Sequence, residues 1–242
     1  MRFSIMRASS TFVAAALLAA SPALAVDSRG PDDDAAMAKV ISGVPVYTKM
    51  ARLDLKEPDP RHRRDAKDPV KSELYQLIAY YNAAIKKDPK DDDAYFHRGI
   101  AEFFAGTVIP ARADISQASR LDPTYPYYAL WIDIIDRRAS APSALAQMIT
   151  QVDMQKWPAP VIRMFLGEST PAEVLAAAND PDPKTKLGQV CEANFYSGER
   201  AMQEGDIKEA TRLFHIAANS CPREFVEGPA AKDELAALDA TE

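Results

Sequence analysis

The clearest pattern in the chain is a ladder of small and large residues between Cys191 and Pro222. Counted from Cys191 as position 1, glycine occupies positions 8 and 15, alanine 20 and 27, phenylalanine 24 and proline 32. Small residues at 8, 20 and 27 let two helices approach closely, the aromatic ring at 24 fills the space between them, and proline ends the second helix. The stretch therefore predicts two antiparallel helices joined at Glu204-Gly205-Asp206.

The same ladder occurs upstream, starting at Asp92. Glycine again occupies 8 and 15 and alanine 20 and 27, with Ile115 at 24 and Pro123 at 32. A third, partial copy precedes it, because Asp88-Pro89 lies 34 residues before Asp122-Pro123. This ladder and this period are typical of the tetratricopeptide repeat (TPR). The sequence thus predicts an all-α fold, a TPR-like helical solenoid over residues 68–242.

Helices are also predicted outside the two complete ladders. One begins at Asp68-Pro69, a good N-cap followed by proline, and runs to Lys87, and the upstream ladder divides into helices over 92–105 and 108–121. Residues 124–187 are predicted to form an irregular helical middle. Its first helix carries an apolar stripe broad enough to be buried, made of Tyr128, Trp131, Ile132 and Ile135.

Shorter helices are predicted to follow that stripe, in SALAQMITQV, APVIRMFLG and TPAEVLAAA. Thr170 is expected to be an N-cap, with Glu173 three residues later completing a capping box. A final helix from about Gly228 is expected to close the end of the stack with its apolar face.

Residues 1–25 have the three parts of a secretory signal peptide. Arg2 and Arg7 precede the apolar run 11–20, and Ala23 and Ala25 place small residues at −3 and −1 of the expected cleavage site. The run is too short to span a bilayer, which needs roughly 20 apolar residues. We therefore expect a periplasmic or secreted protein whose mature chain begins near Val26, without a membrane span and without a lipid-modified cysteine after the cut.

Residues 26–67 are predicted to be an extended or weakly structured arm, because they are rich in proline and charge. The formal net charge of the chain is −6, and loss of two arginines with the presequence changes it to −8. This disfavours nucleic acid or an anionic membrane as the main partner. The basic cluster Arg61–Arg64 is the local exception. It is interpreted as a solvated linker, with a binding patch as the alternative.

The chain has two cysteines, Cys191 and Cys221, which lie 30 residues apart and symmetrically about the predicted turn. Residues placed in this way face each other across an antiparallel helical pair. In an oxidising compartment they are predicted to form a disulfide, which would contribute about 3 to 4 kcal/mol in the chain-entropy model. The alternative is two buried free thiols.

No catalytic or metal-binding constellation is recognised in the sequence. His62, His97 and His215 have no second ligand at metal spacing, and no nucleophile elbow, phosphate loop or CxxC motif occurs. The run Asp91–Asp93 lacks the glycine and glutamate of a calcium loop and is expected at a helix N-terminus. We therefore expect a protein that is not an enzyme and needs no cofactor.

Binding of another protein or peptide is favoured instead. In a TPR stack, positions 2, 5, 9 and 12 of the first helix of each repeat point into a concave groove. The expected groove residues are Asp93, Phe96, Ile100 and Phe103 in one repeat and Glu192, Phe195, Glu199 and Met202 in the other. Apolar residues interleaved with acids suit a peptide with apolar anchors and some basic character. The alternative packs these residues beneath the irregular middle.

Six short segments carry a family resemblance between Ala94 and Leu238. They are FHRGIA (Phe96–Ala101), ALW (Ala129–Trp131), FLGEST (Phe165–Thr170), NFYSGE (Asn194–Glu199), GDIKEATRLF (Gly205–Phe214) and FVE (Phe225–Glu227). In their order and spacing the chain resembles the NlpI family of periplasm-facing TPR lipoproteins. The resemblance implies homodimers and an adaptor role that brings a processing protease and peptidoglycan hydrolases together. The lipidated cysteine of that family is missing here, so an outer-membrane anchor is not implied.

These observations predict a non-enzymatic periplasmic adaptor that binds other proteins. Two alternatives remain at the level of the sequence: a cell-envelope hydrolase or its subunit, and a purely structural assembly factor of an envelope complex. A hydrolase should hold a polar cluster in a closed pocket, a binding protein an open groove, and an assembly factor a large apolar patch.

Overall fold

The predicted helices are present in the computed structural model, which describes residues 69–239 and their side chains from Leu74 onwards. The signal peptide predicted over 1–25 and the arm predicted over 26–67 lie outside the described residues. Ten α-helices and one 3-10 helix (Ile149–Gln151) make up the described part, which contains no strand. The α-helices are α1 Pro69–Lys87, α2 Asp92–Phe104, α3 Val108–Leu121, α4 Pro126–Arg138, α5 Leu145–Met148, α6 Ala159–Phe165, α7 Pro171–Ala177, α8 Pro183–Glu204, α9 Ile207–Ser220 and α10 Glu227–Asp239.

The upstream ladder forms the helical pair α2 and α3. Gly99 marks their closest approach, because a Cβ added there would lie 2.6 Å from Cγ1 of Ile115 and 2.9 Å from the carbonyl oxygen of Ala111. Ala111, Ile115 and Ala118 are fully buried. The small residues of the ladder therefore stand where the two helices touch, as the sequence predicts.

The downstream ladder forms the pair α8 and α9 in the same way. A Cβ on Gly198 would lie 2.7 Å from Cε1 of Phe214, whose ring fills the space between the helices. Gly205 ends α8 in the left-handed conformation, with φ 83°, which glycine adopts without the steric cost of a Cβ. Asp206 then caps α9 by accepting a hydrogen bond from the Glu209 amide at 3.0 Å.

The predicted disulfide is also present, between Cys191 of α8 and Cys221 at the end of α9. The S–S distance is 1.99 Å and the two Cα atoms are 4.8 Å apart. The bridge joins the pair at the end opposite its turn. The alternative of two free thiols is therefore not what the structure shows.

Helix α4 begins the irregular middle and is buried on nearly every side. Tyr128, Trp131, Ile132 and Ile135 are all at most 2% exposed, which confirms the predicted stripe. Shorter helices follow and pack near α8. The predicted capping box is present at the start of α7: the Thr170 amide donates to Glu173 Oε2 at 2.8 Å, and the Glu173 amide donates to Thr170 Oγ1 at 3.3 Å.

The two ends of the described chain lie close together. Helix α1 packs on α2 through Leu74, Ala101 and Ala105. Residues of α10 and of the loop before it share a cavity wall with α1 and α2. The final helix therefore packs on α9 and also faces α1 and α2. The sequence pattern does not predict this second contact.

Candidate functional site

The predicted groove is not an open surface in this protein. Seven of its eight residues are at most 7% exposed, and only Asp93 is exposed; the buried seven are Phe96, Ile100, Phe103, Glu192, Phe195, Glu199 and Met202. The prediction that these residues together form an open groove is therefore wrong. The structure follows the alternative in which the irregular middle covers them.

Helix α4 is the physical reason for this correction. The Trp131 indole lies between α2 and α8, with ring centroids 6.4 Å from Phe96, 6.2 Å from Phe103 and 5.7 Å from Phe195. Side chains at groove positions of both ladders thus pack on a helix that carries no ladder of its own. Four predicted groove residues still reach a cavity: Ile100 lines one, and Asp93, Phe96 and Glu192 line the one beside it.

That cavity is one part of a cleft between helices α1 and α2 and the loop that precedes α10. The cleft has an apolar end of about 210 Å³ and an acidic end of about 360 Å³. Both ends share His97, Glu224, Phe225 and Val226, so they adjoin. The apolar end is further lined by Leu74, Leu77, Tyr81, Ile100, Ala101, Phe104, Arg223, Pro229, Ala230 and Asp233. The acidic end is further lined by Asp93, Phe96, Tyr125, Tyr127, Glu192 and Glu227.

The loop wall of the cleft is held by α8 and by the disulfide. Gly188 has no side chain, and a Cβ there would overlap the Phe225 ring, so the glycine lets that ring pack directly on α8. Cys221 ties the start of the loop to Cys191 of the same helix. Phe225 and Val226 are therefore presented to α1 and α2 from a fixed position.

Two buried carboxyl groups define the acidic end. Glu192 is 5% exposed, and its Oε2 accepts hydrogen bonds of 2.6 Å from both the Tyr127 hydroxyl and Trp157 Nε1. Glu227 is 2% exposed and accepts a hydrogen bond of 3.0 Å from the Tyr196 hydroxyl. Burial raises the pKa of both carboxyls, and the charge of Glu227 raises the pKa of Glu192 further.

The tyrosine hydroxyls around these carboxyls are themselves held in the protonated, neutral form. Burial raises the pKa of Tyr125 to about 12, with Glu227 and Glu192 adding to the rise. The pKa of Tyr127 is raised well above its ordinary value, first by burial and then by Glu192. These hydroxyls therefore donate hydrogen bonds or face the cleft uncharged at neutral pH.

The predicted groove residue Glu199 has a structural role instead. It lies on α8 and is fully buried, and its carboxylate pairs with Arg138 of α4 at 2.6 Å. Arg138 also pairs with Glu234 of α10 at 2.6 Å. This cluster joins three helices and lines neither end of the cleft. Burial raises the pKa of Glu199 although the arginine opposes the shift.

Residues 74–239 form no recognisable metal site. No set of three or more His, Cys, Asp or Glu side chains there could hold a metal ion. His97 lies at the cleft, with Nε2 3.4 Å from Asp93, whereas His215 is on the exposed surface of α9. His62 lies outside the described residues. Within the same part of the chain, no helix is both long and apolar enough to cross a membrane.

A scan of the chain against protein-family models finds no match. The site is therefore defined by its geometry. Sequence reasoning missed Tyr125, Tyr127, Phe225 and Glu227, all of which line the acidic end. The aromatic run from Tyr125 to Tyr128 was the available signal. Proline alone favours a helix start, so the three tyrosines beside it indicate another role.

Proposed function

We propose that this chain is a non-enzymatic, protein-binding adaptor of the periplasm built on TPR-like helical repeats. The observation that carries the proposal is the cleft between α1–α2 and the loop before α10. It offers apolar side chains at one end and acidic and aromatic side chains at the other. Such a surface suits an extended or helical segment of another protein.

Exposed apolar side chains at the cleft support this proposal. Leu77 is 41% exposed, Tyr125 is 40% exposed, and Tyr80, whose ring contacts Tyr81 of the cleft wall, is 67% exposed. Large apolar groups that gather at one surface are typical of protein interaction sites. The Cys191–Cys221 disulfide and the contact of Phe225 with Gly188 hold the loop wall of the cleft against α8.

The proposed compartment rests on two features of the chain. The presequence predicted over residues 1–25 would direct export, and the Cys191–Cys221 disulfide is of the kind that persists in oxidising compartments. We further propose envelope proteases or peptidoglycan hydrolases as partners, and self-association into a homodimer, because the resemblance to the NlpI family implies both. No nucleic acid is proposed, given the acidic net charge.

The test uses site-specific photocrosslinking in the periplasm. A photoreactive phenylalanine analogue replaces Leu77 at the cleft or, as a matched control, Leu175 of α7, which is 47% exposed and lines neither end of the cleft. We expect position 77, and not 175, to capture a discrete set of proteins that mass spectrometry identifies. Equal capture at both positions would contradict a binding role for the cleft.

Two further measurements separate this proposal from the alternatives. Turnover of peptidoglycan or of a peptide by the purified chain alone would replace the adaptor with an envelope hydrolase. Light scattering of the same preparation measures the mass in solution. A mass equal to one chain at all concentrations would contradict the proposed homodimer.

A further inference from the structure

Most buried acidic residues in the described part of the chain pair with an arginine, and Glu199 and Glu234 share one, Arg138. Seven aspartates and glutamates are at most 9% exposed in the described part of the chain. Five of them form ion pairs at 2.5 to 2.6 Å: Asp114 with Arg98, Asp136 with Arg112, Asp133 with Arg137, and Glu199 and Glu234 with Arg138. The remaining two, Glu192 and Glu227, form no ion pair with a lysine, arginine or histidine of residues 74–239.

Those two residues line the same cavity. Glu192 comes from α8 and Glu227 from the start of α10, yet both line the acidic end of the cleft. Burying a carboxylate without a counter-charge is costly, so proteins pair such groups or keep them protonated. Two carboxyls that share a cavity and repel each other make ionisation harder still. The arrangement is one that a cation entering the cavity would stabilise.

Aromatic rings form the other walls of this cavity. Phe96, Tyr125, Tyr127 and Phe225 line it together with the two glutamates. A cation attracted to ring faces and to buried carboxylates gains from both, and the apolar stem of a lysine or arginine packs on the same rings. At the exposed rim, Asp93 adds negative charge that would attract a cation towards the opening, whereas Glu224 already pairs with Lys184 at 3.2 Å.

We propose that the acidic end of the cleft binds the cationic side chain of a lysine or arginine from the partner protein, with Glu192 and Glu227 as its counter-ions. The adjoining apolar end, with Leu74, Leu77 and Phe104, takes an apolar side chain nearby in the same partner segment. This inference rests on the proposed binding function and adds the chemistry that the cleft selects. The partner segment is thus a basic residue near an aliphatic or aromatic one.

The test is a fluorescence-anisotropy titration of the chain from Val26 onwards with three labelled, end-capped nonapeptides. They differ only in the central residues, which are Leu-Ala-Arg, Leu-Ala-Gln and Ala-Ala-Arg. We expect the first to bind about tenfold or more tightly than the second, because a buried charged hydrogen bond is lost with the guanidinium. The third should also bind more weakly, because it lacks the apolar anchor.

Two glutamine variants locate the effect. Glu192→Gln keeps an oxygen acceptor for Tyr127 and Trp157 but removes the charge, and it should abolish the preference for the arginine peptide over the glutamine peptide. Glu227→Gln should reduce that preference. The matched control is Glu102→Gln on α2, because burial also raises the pKa of this carboxyl but it lines neither end of the cleft. This control should bind the three peptides as the unsubstituted chain does.

Several outcomes would overturn the inference. Equal affinity for the arginine and glutamine peptides would do so, as would an unchanged preference in Glu192→Gln. Spermidine that binds more tightly than the Leu-Ala-Arg peptide would assign the cavity to a free polyamine. A tenfold gain in peptide affinity after Arg61–Arg64 are replaced by serine would assign it to the chain's own basic cluster.

Failure of the proposed function is a separate result. If crosslinking from Leu77 captures specific proteins while none of the peptides binds, the cleft is a docking surface without a cation site. If neither position 77 nor any peptide gives binding, the adaptor proposal and this inference fail together. Binding of the arginine peptide that depends on Glu192 supports both.

Discussion

The Trp131 indole stacks on the Phe195 ring, with centroids 5.7 Å apart and an angle of 28° between the ring planes. This contact joins α4, which carries no repeat ladder, to the first helix of the downstream pair. It closes the face that an uninterrupted TPR stack would leave open. The face predicted as a groove is therefore covered, and the surface proposed for binding is the cleft where the two ends of the described chain meet.

Replacement of Trp131 should test how far α4 holds the fold together. The side chain is fully buried among rings of α2 and α8, so Trp131→Ala should lower the free energy of unfolding by about 3 to 5 kcal/mol. Trp131→Phe should cost less, because Trp131 Nε1 is buried without a hydrogen-bond partner and its loss removes an unsatisfied donor. Urea unfolding followed by circular dichroism measures both.

The control for this prediction is Tyr80→Ala, which removes a side chain that is 67% exposed. It should change the free energy of unfolding by no more than about 0.5 kcal/mol. If Trp131→Ala were as mild as this control, α4 would not be the helix that joins the two pairs.

The close approach at Gly198 predicts an unfavourable response to a single methyl group. Alanine normally favours a helix over glycine by about 1 kcal/mol, but here its Cβ would lie 2.7 Å from Phe214 Cε1 and 2.9 Å from its Cδ1. Gly198→Ala should therefore destabilise the protein by about 1 to 3 kcal/mol through overpacking. Thermal unfolding of the variant gives the answer.

Phe214→Leu provides the matched second substitution at this contact. It removes the ring that the new methyl group would meet, so the double variant should be more stable than the sum of the two single changes implies. Strict additivity would show that the helices do not depend on the contact between Gly198 and Phe214.

The parts that could be predicted from the sequence depend on neighbours along the chain or on symmetry about a turn. Gly99 and Gly198 indicate close helix contacts because no larger residue fits there, and Cys191 and Cys221 lie symmetrically about one turn. The groove could not be predicted in the same way. Phe96 and Phe195 have side chains that suit either a groove or a core, and only the path of α4 decides between them.

The cleft could not be predicted from the sequence either, for a related reason. Glu192 and Glu227 belong to different helices and come together only because the loop before α10 packs on α8 at Gly188. Glu192 belongs to the repeat ladder and Glu227 to the segment Phe225–Glu227, but neither pattern places the two residues together. That both lack a counter-ion among residues 74–239 becomes visible only when every buried carboxyl of the folded chain is checked for an arginine partner.

Loss of the disulfide should weaken the fold and the loop wall of the cleft together. Closing a loop of 30 residues contributes about 3 to 4 kcal/mol in the chain-entropy model. The double variant Cys191→Ser, Cys221→Ser should unfold at correspondingly lower urea concentration, and a reducing agent should shift the unsubstituted protein in the same direction. The same agent should leave the double variant unchanged. A shift in both proteins would point to an effect unrelated to this bond.

The buried carboxyl of Glu192 should make stability depend on pH. Its pKa is raised to about 8 from an ordinary value of 4.5, chiefly by burial. Between these values the folded state binds more protons than the unfolded chain, so the free energy of unfolding falls as the pH rises, by at most about 1.4 kcal/mol per pH unit for one group. Glu192→Gln should flatten this fall between about pH 5 and pH 8.

Glu173 provides a control for this last prediction, because its effect on the free energy of unfolding should change with pH in the opposite direction. Hydrogen bonds from the Thr170 amide and hydroxyl lower its pKa, so its contribution is present above the ordinary pKa and is lost as the pH falls. Glu173→Gln should therefore reduce stability at neutral pH and converge with the unsubstituted protein in acid, whereas Glu192→Gln gains relative stability towards alkaline pH. Parallel curves for Glu192→Gln and the unsubstituted chain would show that this carboxyl is already neutralised by a charge, and the case for an unfilled cation site would be lost.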